Sequence, residues 1–403
     1  MMCVMIQPAD KQSLDVGQPS SFLSMIRSKT THIILTVVIV MCGYLFILDK
    51  YADNVFWGNR ITGFICLGDR FMPPELLPDD TMFIKNCAGY DGQFYYFIAQ
   101  DPLIMGRMSP HIDSPAYRYQ RIGYPLLASI FSMGSLSVLP LMLVVVNMVG
   151  ILMGTLFFAL MLKDQGITPW YALFYGLLSG FVIAILRDLS GPLAMGFAVG
   201  AIFFYGNRRF LWCTLFIALA VLTRETFAAV LLVLLFDSFA LKRNPKSGLI
   251  VALALVPLLA WQLYIYLRLG EPSWVSGTSN LGMPFVHIFN HAKDILPSPN
   301  RACSEKWYLA LTVISAVFCL ALALWQVIRA RNEITLCFLG FSLMPFFMTN
   351  LVWIEPWSYG RVLLPIPVFL LLSFMRSKSR LHLVPIAIQG ALFLIILSWL
   401  RIT

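Results

Sequence analysis

Eleven apolar runs, separated by short polar connections, follow one another through this sequence. Most are about 15 to 25 residues long, close to the length that an α-helix needs to cross the hydrocarbon core of a bilayer. Backbone polar groups in lipid must be satisfied within the segment, so repeated runs of this kind predict a bundle of membrane-spanning helices. The runs cover residues 31–48, 122–162, 169–186, 191–205, 210–222, 226–241, 248–267, 307–328, 333–350, 362–375 and 382–400.

Charged side chains are scarce. Only 12% of the 403 residues are charged and 59% are hydrophobic, whereas a soluble domain carries about 25% charged residues. Too little polar sequence remains to cover a soluble core. The net charge of +9 could attract nucleic acid, but the Lys and Arg residues lie in short clusters between apolar runs and therefore indicate topology. We expect membrane lipid as a partner, and no nucleic acid.

The basic clusters recur at every second connection from residue 163 onward. If all of them face the cytoplasm, the positive-inside rule is satisfied without exception. The tail of residues 1–30 is then cytoplasmic, residues 31–403 form a single membrane domain, and residues 49–121 and 268–306 form two large extracytoplasmic loops. The clusters are Arg208-Arg209, Lys242-Arg243-Lys246, Arg329-Arg331 and Arg376-Lys378-Arg380.

The run of residues 122–162 decides how often the chain crosses the membrane. Its length of about 41 residues is too great for one straight span. The charge pattern requires a single crossing here, so we expect a re-entrant or interfacial piece near Ile122–Met133 and a crossing near Leu139–Leu162. Two full crossings would instead place the later basic clusters outside. The predicted fold is an all-α polytopic membrane protein with about 11 transmembrane helices and interfacial helices in its first extracytoplasmic loop.

A carboxylate among aromatic residues lies in that first loop. Asp91 belongs to the run from Tyr90 to Phe97, in which aromatics recur at near-helical spacing. This pattern is typical of an interfacial amphipathic helix with an aromatic belt and Asp91 as its N-cap. It equally suits a site at the headgroup level, where a carboxylate serves a lipid-linked substrate as base or binding group. The pattern alone leaves both interpretations open.

Several arginines border apolar runs on the same predicted face. Arg118 and Arg121 precede the run that starts at residue 122, and a planar guanidinium suits phosphate because it forms two parallel hydrogen bonds. The alternative is that both snorkel to lipid headgroups.

Two charged pairs, Arg187-Asp188 and Arg224-Glu225, lie between apolar runs with little loop around them. An unpaired charge near the hydrocarbon boundary costs roughly 2–3 kcal/mol, so each pair is either a structural ion pair or part of a site. No Cys/His metal spacing and no phosphate-binding glycine loop occurs, so no metal ligands are assigned. The candidate catalytic residue is Asp91. The candidate substrate-binding residues, all on the predicted outer face, are Tyr90, Gln93, Tyr96, Arg118, Arg121, Tyr124, Arg187, Asp188, Arg224, Glu225, Glu355 and Arg361.

Four stretches of the chain together resemble the GT-C superfamily of membrane glycosyltransferases. Residues 90–102 (Tyr-Asp-Gly-Gln-Phe-Tyr-Tyr, then Phe and Ile-Ala-Gln-Asp-Pro) look most like a bacterial family associated with cell-surface glycopolymer formation, and residues 120–128, 187–189 and 222–226 look similar too. The resemblance implies a GT-C-like helical bundle that transfers a sugar, with inversion, from a polyprenyl phosphate on the extracytoplasmic face. The acid of the first outer loop is generally the base, and its counterpart here is Asp91.

The chain departs from that superfamily pattern in one respect. In many members the acid follows the first span closely and begins a DxD or Asp-Glu pair, whereas Asp91 lies about 40 residues beyond the first apolar run and Gly92 follows it. No cofactor is therefore assigned, since no DxD motif supports a divalent metal.

The function expected from the sequence is that of a multi-pass glycosyltransferase in a bacterial inner (cytoplasmic) membrane. Its donor would be a polyprenyl-phosphate sugar and its acceptor a cell-surface glycan, lipid or protein. Asp91 would deprotonate the acceptor hydroxyl, and Arg118, Arg121 and Arg224 would hold the phosphate. Two alternatives remain open: a transporter or flippase of lipid-linked sugars, which needs charges on both halves of the membrane and alternating access, and a polysaccharide polymerase or ligase.

Overall fold

The computed structural model of the protein describes residues 29–53, 60–71, 82–275, 280–295, 297–299 and 301–400. The predicted cytoplasmic tail of residues 1–30 lies outside them, apart from Lys29 and Thr30 at the start of the first helix. In chain order the α-helices are α1 Lys29–Ala52, α2 Asp91–Gln100, α3 Pro115–Tyr119, α4 Gly123–Phe131, α5 Leu139–Asp164, α6 Ala172–Gly176, α7 Ser179–Ile185, α8 Gly191–Gly206, α9 Phe210–Thr223, α10 Ala228–Phe236, α11 Pro245–Ala252, α12 Leu255–Leu269, α13 Val286–Ile295, α14 Cys303–Arg329, α15 Glu333–Leu343, α16 Asn350–Trp353, α17 Pro356–Val362, α18 Pro365–Ser377 and α19 Leu383–Trp399.

Short elements connect these helices. Strands β1 (Leu67–Gly68) and β2 (Phe83–Ile84) pair in parallel, with Leu67 opposite Phe83. A π-helical turn covers Asp237–Leu241. The 3-10 turns are Ile61–Ile65, Asp69–Phe71, Ser109–His111, Pro169–Tyr171, Glu225–Phe227, Met344–Phe347 and Arg380–His382.

Among the described residues, six helical segments are long and apolar enough to cross a membrane, while α8, α9 and α15 are apolar but shorter. The chain is therefore a helical protein with the character of a multi-pass membrane protein. The predicted count of about 11 crossings is not confirmed, because several apolar runs fold as short or broken helices. The six segments are Lys29–Ala52, Leu139–Asp164, Pro245–Leu269, Cys303–Arg329, Pro356–Ser377 and Arg380–Trp399.

The run of residues 122–162 folds as two helices, in agreement with the sequence prediction. α4 ends at Phe131 and α5 begins at Leu139; the re-entrant path of α4 stays a prediction. The run of residues 169–186 is broken instead. Leu178 adopts an extended backbone (φ −66°, ψ 134°), which separates α6 from α7.

α8 packs closely against both α5 and α9. Gly150 on α5 and Gly196 on α8 permit a close approach, because a Cβ at Gly196 would overlap the Gly150 carbonyl oxygen. Lipid is as apolar as the helices, so close packing at small residues is what favours helix association in a membrane.

The aromatic helix of the first loop is buried inside the protein. Eight of the ten residues of α2 are buried, because the helix packs against α4 and the turn at residues 61–65. Of the two interpretations left open, an interfacial helix with an aromatic belt is therefore wrong for this helix, and Tyr90 rather than Asp91 is its cap residue. Exposed apolar side chains lie instead on α13, where Val286 and Phe289 are 47% and 60% exposed.

Charged residues collect at the two ends of α15 and α18. At one end, Lys242 and Arg376 approach the buried Glu333 at 3.6 and 2.5 Å. At the other end, just before α18, Arg361 contacts Asp91. Two of the basic clusters thus meet at one end, as the charge pattern indicates. The side of the membrane that each end faces stays a prediction.

Candidate functional site

Asp91 is the first residue of α2, and backbone contacts fix its position. The Tyr90 N–H donates to the Cys66 carbonyl at 2.9 Å. Gly92 packs on the Arg187 carbonyl, and a Cβ at Gly92 would overlap that oxygen. This close approach explains why glycine follows the acid, and the helix dipole favours a carboxylate in the first turn.

Two arginines bind the Asp91 carboxylate. Arg118 Nη1 donates to Oδ1 at 2.8 Å and Arg361 Nη2 donates to Oδ2 at 2.5 Å. Arg118 lies on α3 and Arg361 on α17, so one carboxylate joins two distant parts of the chain. Hydrogen bonds between charged groups are about twice as strong as neutral ones, and the three side chains are only 13 to 19% exposed.

Arg118 is shared between two carboxylates. Its Nε and Nη2 donate to Asp113, both at 2.9 Å, while Nη1 reaches Asp91. The guanidinium carbon also lies 4.6 Å from the centroid of the Phe94 ring. The planar fork is therefore fixed in orientation, which a lysine could not reproduce.

Arg121 and Glu225 form a second, bidentate ion pair. Arg121 Nε and Nη2 donate to the two carboxylate oxygens at 2.7 and 2.6 Å, and Nη2 also donates to the Tyr117 hydroxyl. Gly123 permits the two segments that carry Arg121 and Glu225 to approach closely, because a Cβ at Gly123 would overlap the Thr223 hydroxyl. The start of α4 can thus lie directly against the end of α9.

Arg224 lies next to this pair, and its guanidinium makes no hydrogen bond or ion pair with any residue that the structure describes. Burial, followed by repulsion from Arg121, lowers the pKa of Arg224 below its ordinary value, and Glu225 offsets only part of this effect. A bound anion would supply the missing acceptor and counter the neighbouring cations. Arg224 is therefore the group in this site that most needs a ligand.

One cavity of about 530 Å³ brings these groups together. Four guanidinium groups and two carboxylates contribute to its wall, which leaves two positive charges in excess. Part of the remaining wall is apolar and includes Met344 and Met348. Trp274 and Leu351, which also line the cavity, are 67% and 59% exposed and form its rim. These properties suit a ligand with an anionic head and an apolar tail.

The arginines outweigh burial in setting the charge of both carboxyls. Burial alone would raise the pKa of Asp91, but Arg118 and Arg361 hold it well below its ordinary range. Burial also raises the pKa of Glu225, and Arg121 brings it below its ordinary value. Both groups are ionised at neutral pH.

Six of the thirteen predicted site residues line the cavity: Asp91, Arg118, Arg121, Arg224, Glu225 and Arg361. The other seven do not: Tyr90, Gln93, Tyr96, Tyr124, Arg187, Asp188 and Glu355.

Three of these seven support the fold from positions closed to a ligand. Gln93 is 1% exposed. Its side-chain amide accepts a hydrogen bond from the Gly68 N–H and donates one to the Ala88 carbonyl. Tyr96 and Tyr124 are both fully buried. α2 and α4 turn these side chains into the protein, away from the cavity lining, and their role in binding stays a prediction.

The remaining four make other contacts within the protein or are buried in it. Tyr90 stacks on the Arg361 guanidinium at 5.0 Å and so supports the site from behind. Arg187 donates to the Tyr51 hydroxyl at 2.9 Å and to Cys66 Sγ at 3.1 Å. Glu355 precedes α17 as its cap residue. Asp188 is fully buried, and its role in binding stays a prediction.

Further residues that the sequence did not single out also line the cavity, among them Tyr117, Trp274, Asn280 and Met348. Tyr117 had a local signal, since it lies four residues before Arg121, on the same side of a helical turn. Trp274 and Asn280, which belong to the predicted second loop, had no such signal in the sequence. Their loop is held by long-range backbone bonds, including the one from Thr349 N–H to the Asn280 carbonyl at 3.1 Å.

Replacing Glu225 with Gln is expected to destabilise the protein by about 3 kcal/mol, because the buried Arg121 loses its counter-ion. The side chain of Arg121 is only 9% exposed. Chemical unfolding of the purified protein in detergent measures the effect. The double variant Arg121→Gln/Glu225→Gln should recover part of the loss, and strictly additive losses would contradict a direct ion pair.

Replacing Asp188 with Asn is expected to change how stability depends on pH. Neither carboxylate oxygen has a hydrogen-bond partner among the described residues, and burial raises the pKa of Asp188 well above its ordinary 3.8. The folded protein therefore binds the Asp188 carboxyl proton more tightly than the unfolded chain does. Its contribution to stability is complete below about pH 4, the pKa in the unfolded chain, and is lost as the pH rises through the higher pKa of the folded protein. Asp188→Asn should therefore melt above the wild type at pH 8, with a smaller difference at pH 5. A difference that is constant across this range would contradict the prediction.

Among the described residues, no three His, Cys, Asp or Glu side chains are grouped to hold a metal ion. Searches against protein-family models, curated proteins and solved structures found no match to this chain. The candidate function therefore depends on the chemistry of the cavity.

Proposed function

We propose that this protein is a membrane glycosyltransferase, which moves a sugar from a polyprenyl-phosphate donor to a cell-surface glycan, lipid or protein acceptor. One observation carries the proposal: Asp91 and the unpaired Arg224 line the same cationic cavity, and part of its wall is apolar. A polyprenyl phosphate joins an anion directly to an apolar chain, which is the combination that this cavity suits.

The donor phosphate would bind at Arg224. Arg118 and Arg361 line the same cavity and could each redirect a donor from Asp91 to a phosphate oxygen. The isoprene units next to the phosphate would lie against Met344 and Met348. Glu225 would keep Arg121 in place, and Arg121 would add to the positive field at the phosphate.

Transfer would take place by a single in-line displacement. Asp91 would accept the proton of an acceptor hydroxyl while that oxygen forms a bond to the anomeric carbon. The bond from this carbon to the phosphate oxygen would break with inversion, and its electron pair would leave with the phosphate. The guanidinium groups would stabilise the charge that develops on this leaving group.

The donor itself would make Asp91 a better base. Both oxygens of Asp91 accept hydrogen bonds from arginines, which makes the carboxylate a weak proton acceptor. A phosphate that draws these arginines away, and adds negative charge nearby, would raise the pKa of Asp91. General-base catalysis would then begin only when the donor is bound.

The same proposal places the cavity on the extracytoplasmic side of a bacterial inner membrane, in a GT-C-like bundle. The supporting observation is that Lys242 and Arg376, from two basic clusters, meet at the opposite end of α15 and α18. Basic connections face the cytoplasm in most membrane proteins.

Mass spectrometry of the lipids that co-purify with the protein tests the donor class. A polyprenyl-phosphate sugar should be enriched over a membrane control, and more strongly with Asp91→Asn because that variant binds the donor without consuming it. Recovery of ordinary phospholipids alone from both proteins would contradict the proposed donor.

A further inference from the structure

A second polar cavity, of about 550 Å³, lies where α14 and α18 end and α15 begins. Arg376 lies 15 residues after Arg361 on the continuous segment Pro356–Ser377, so the two cavities are about 22 Å apart along the helix axis. The function proposed above does not use this cavity.

Two arginines line this cavity, and none of the described residues that line it carries a carboxylate. Arg329 stacks over the Trp325 ring at 4.3 Å and forms no ion pair with a described residue. Arg376 donates through Nη2 to Glu333 at 2.5 Å, which leaves its Nε and Nη1 donors available. The cavity wall therefore carries a net positive charge.

Hydroxyl groups add further donors. Ser377 and Ser379 both line the cavity. Ser377 Oγ accepts hydrogen bonds from Gln326 Nε2 at 3.3 Å and from the Ser379 N–H at 3.4 Å, so its own proton remains free to donate. Gln326 is in turn held by the buried His382, 2.6 Å away. The donors are thus supported by a fixed polar network, which lowers the cost of ordering them around a ligand.

Glu333 fixes the position of Arg376. The carboxylate is 3% exposed and lies between Arg376 and Lys242. Lys242 lies nearer to Asp237, at 2.8 Å, than to Glu333. Glu333 is therefore the counter-ion of Arg376, and Arg329 supplies the excess positive charge of the cavity wall. A guanidinium with a fixed orientation and unused donors suits a phosphate oxygen.

Exposed apolar side chains lie at the cavity or next in sequence to residues near it. Leu381 lines it and is 51% exposed. Ile328, next to Arg329, is 82% exposed, and Leu383 is 48% exposed. A free anion gains nothing from such neighbours, whereas a phospholipid joins its phosphate to acyl chains that would cover them.

We infer that this cavity binds the headgroup phosphate of an anionic phospholipid, with Arg329 and Arg376 on the phosphate and the acyl chains along Ile328 and Leu381. Basic pockets between membrane helices on the cytoplasmic side are suited to anionic headgroups. The site is separate from the Asp91 cavity, and it can be present whether or not the protein transfers sugars.

Native mass spectrometry of the full-length protein in detergent, titrated with phosphatidylglycerol or phosphatidylcholine, tests this inference. Phosphatidylglycerol should bind more tightly than phosphatidylcholine, and Arg329→Gln should weaken phosphatidylglycerol binding about fivefold, the effect of one basic residue near a membrane surface. Arg331→Gln is the matched control, because it removes an exposed arginine of the same cluster that does not line the cavity.

The inference is overturned if Arg329→Gln and Arg331→Gln weaken binding equally, since the attraction would then be general to the basic surface. It is also overturned if inorganic phosphate raises the melting temperature as much as phosphatidylglycerol does, because the site would then take a free anion. Equal melting temperatures of the two variants without lipid confirm that both fold.

Discussion

Replacing Asp91 with Asn is expected to lower the rate of sugar transfer by about 10²- to 10⁴-fold, the usual contribution of a positioned general base. Asn cannot accept the proton of the acceptor hydroxyl. The same change should not weaken donor binding and should strengthen it, because Arg118 and Arg361 would no longer be held by a carboxylate. Transfer by purified protein in proteoliposomes, together with donor binding by native mass spectrometry, measures the two effects separately.

Asp113→Asn is the matched control for this variant. Asp113 binds the same arginine from the other side, through two hydrogen bonds of 2.9 Å, but does not line the cavity. It should lower transfer only slightly. If both variants lose activity equally, Asp91 acts by positioning Arg118 and is not the base.

Replacing Arg224 with Gln is expected to weaken donor binding about tenfold to a hundredfold, since a hydrogen bond to a charged group contributes about 1.5–3 kcal/mol. The Arg224 guanidinium forms no ion pair with a described residue, and Glu225 keeps Arg121 as its counter-ion, so the loss of Arg224 should not destabilise the fold. The Arg224→Lys variant should bind the donor with an affinity between those of the wild type and Arg224→Gln. Lysine keeps the positive charge but cannot form two parallel hydrogen bonds to one phosphate.

Arg209→Gln is the control for Arg224. Arg209 is exposed at the other end of the same helix, α9, so the change removes an equal charge away from the cavity. Donor binding should match that of the wild type. Equal weakening in the Arg209 and Arg224 variants would show that net charge, and not a phosphate site, attracts the donor.

The helical, multi-pass character of the fold could be predicted because apolar runs of sufficient length have few alternatives. The number of crossings could not. The run at residues 169–186 looks like one span, yet the extended backbone at Leu178 divides it. The aromatics of α2 suggested a membrane surface, because a sequence pattern shows only that residues avoid water. Whether lipid or protein covers them depends on tertiary packing.

The charged part of the cavity lining could be predicted from charges that border apolar runs. The pairs Arg187-Asp188 and Arg224-Glu225 show the limit of this reasoning, since they are alike in sequence. Arg224 and Glu225 line the cavity, whereas Asp188 is fully buried and does not line it. The two arginines differ because Arg187 donates hydrogen bonds to Tyr51 and Cys66, which belong to distant segments of the chain. A sequence pattern does not show these contacts.

Analysis of the lipid products most directly distinguishes transfer from transport. Proteoliposomes that contain a lipid-linked sugar pool and an acceptor would be followed by mass spectrometry, with the wild type compared with Asp91→Asn. We expect each sugar lost from the donor to appear on the acceptor together with one polyprenyl phosphate, in the wild type alone. Movement of intact lipid-linked sugar across the bilayer, with no polyprenyl phosphate formed, would contradict a glycosyltransferase and identify a transporter.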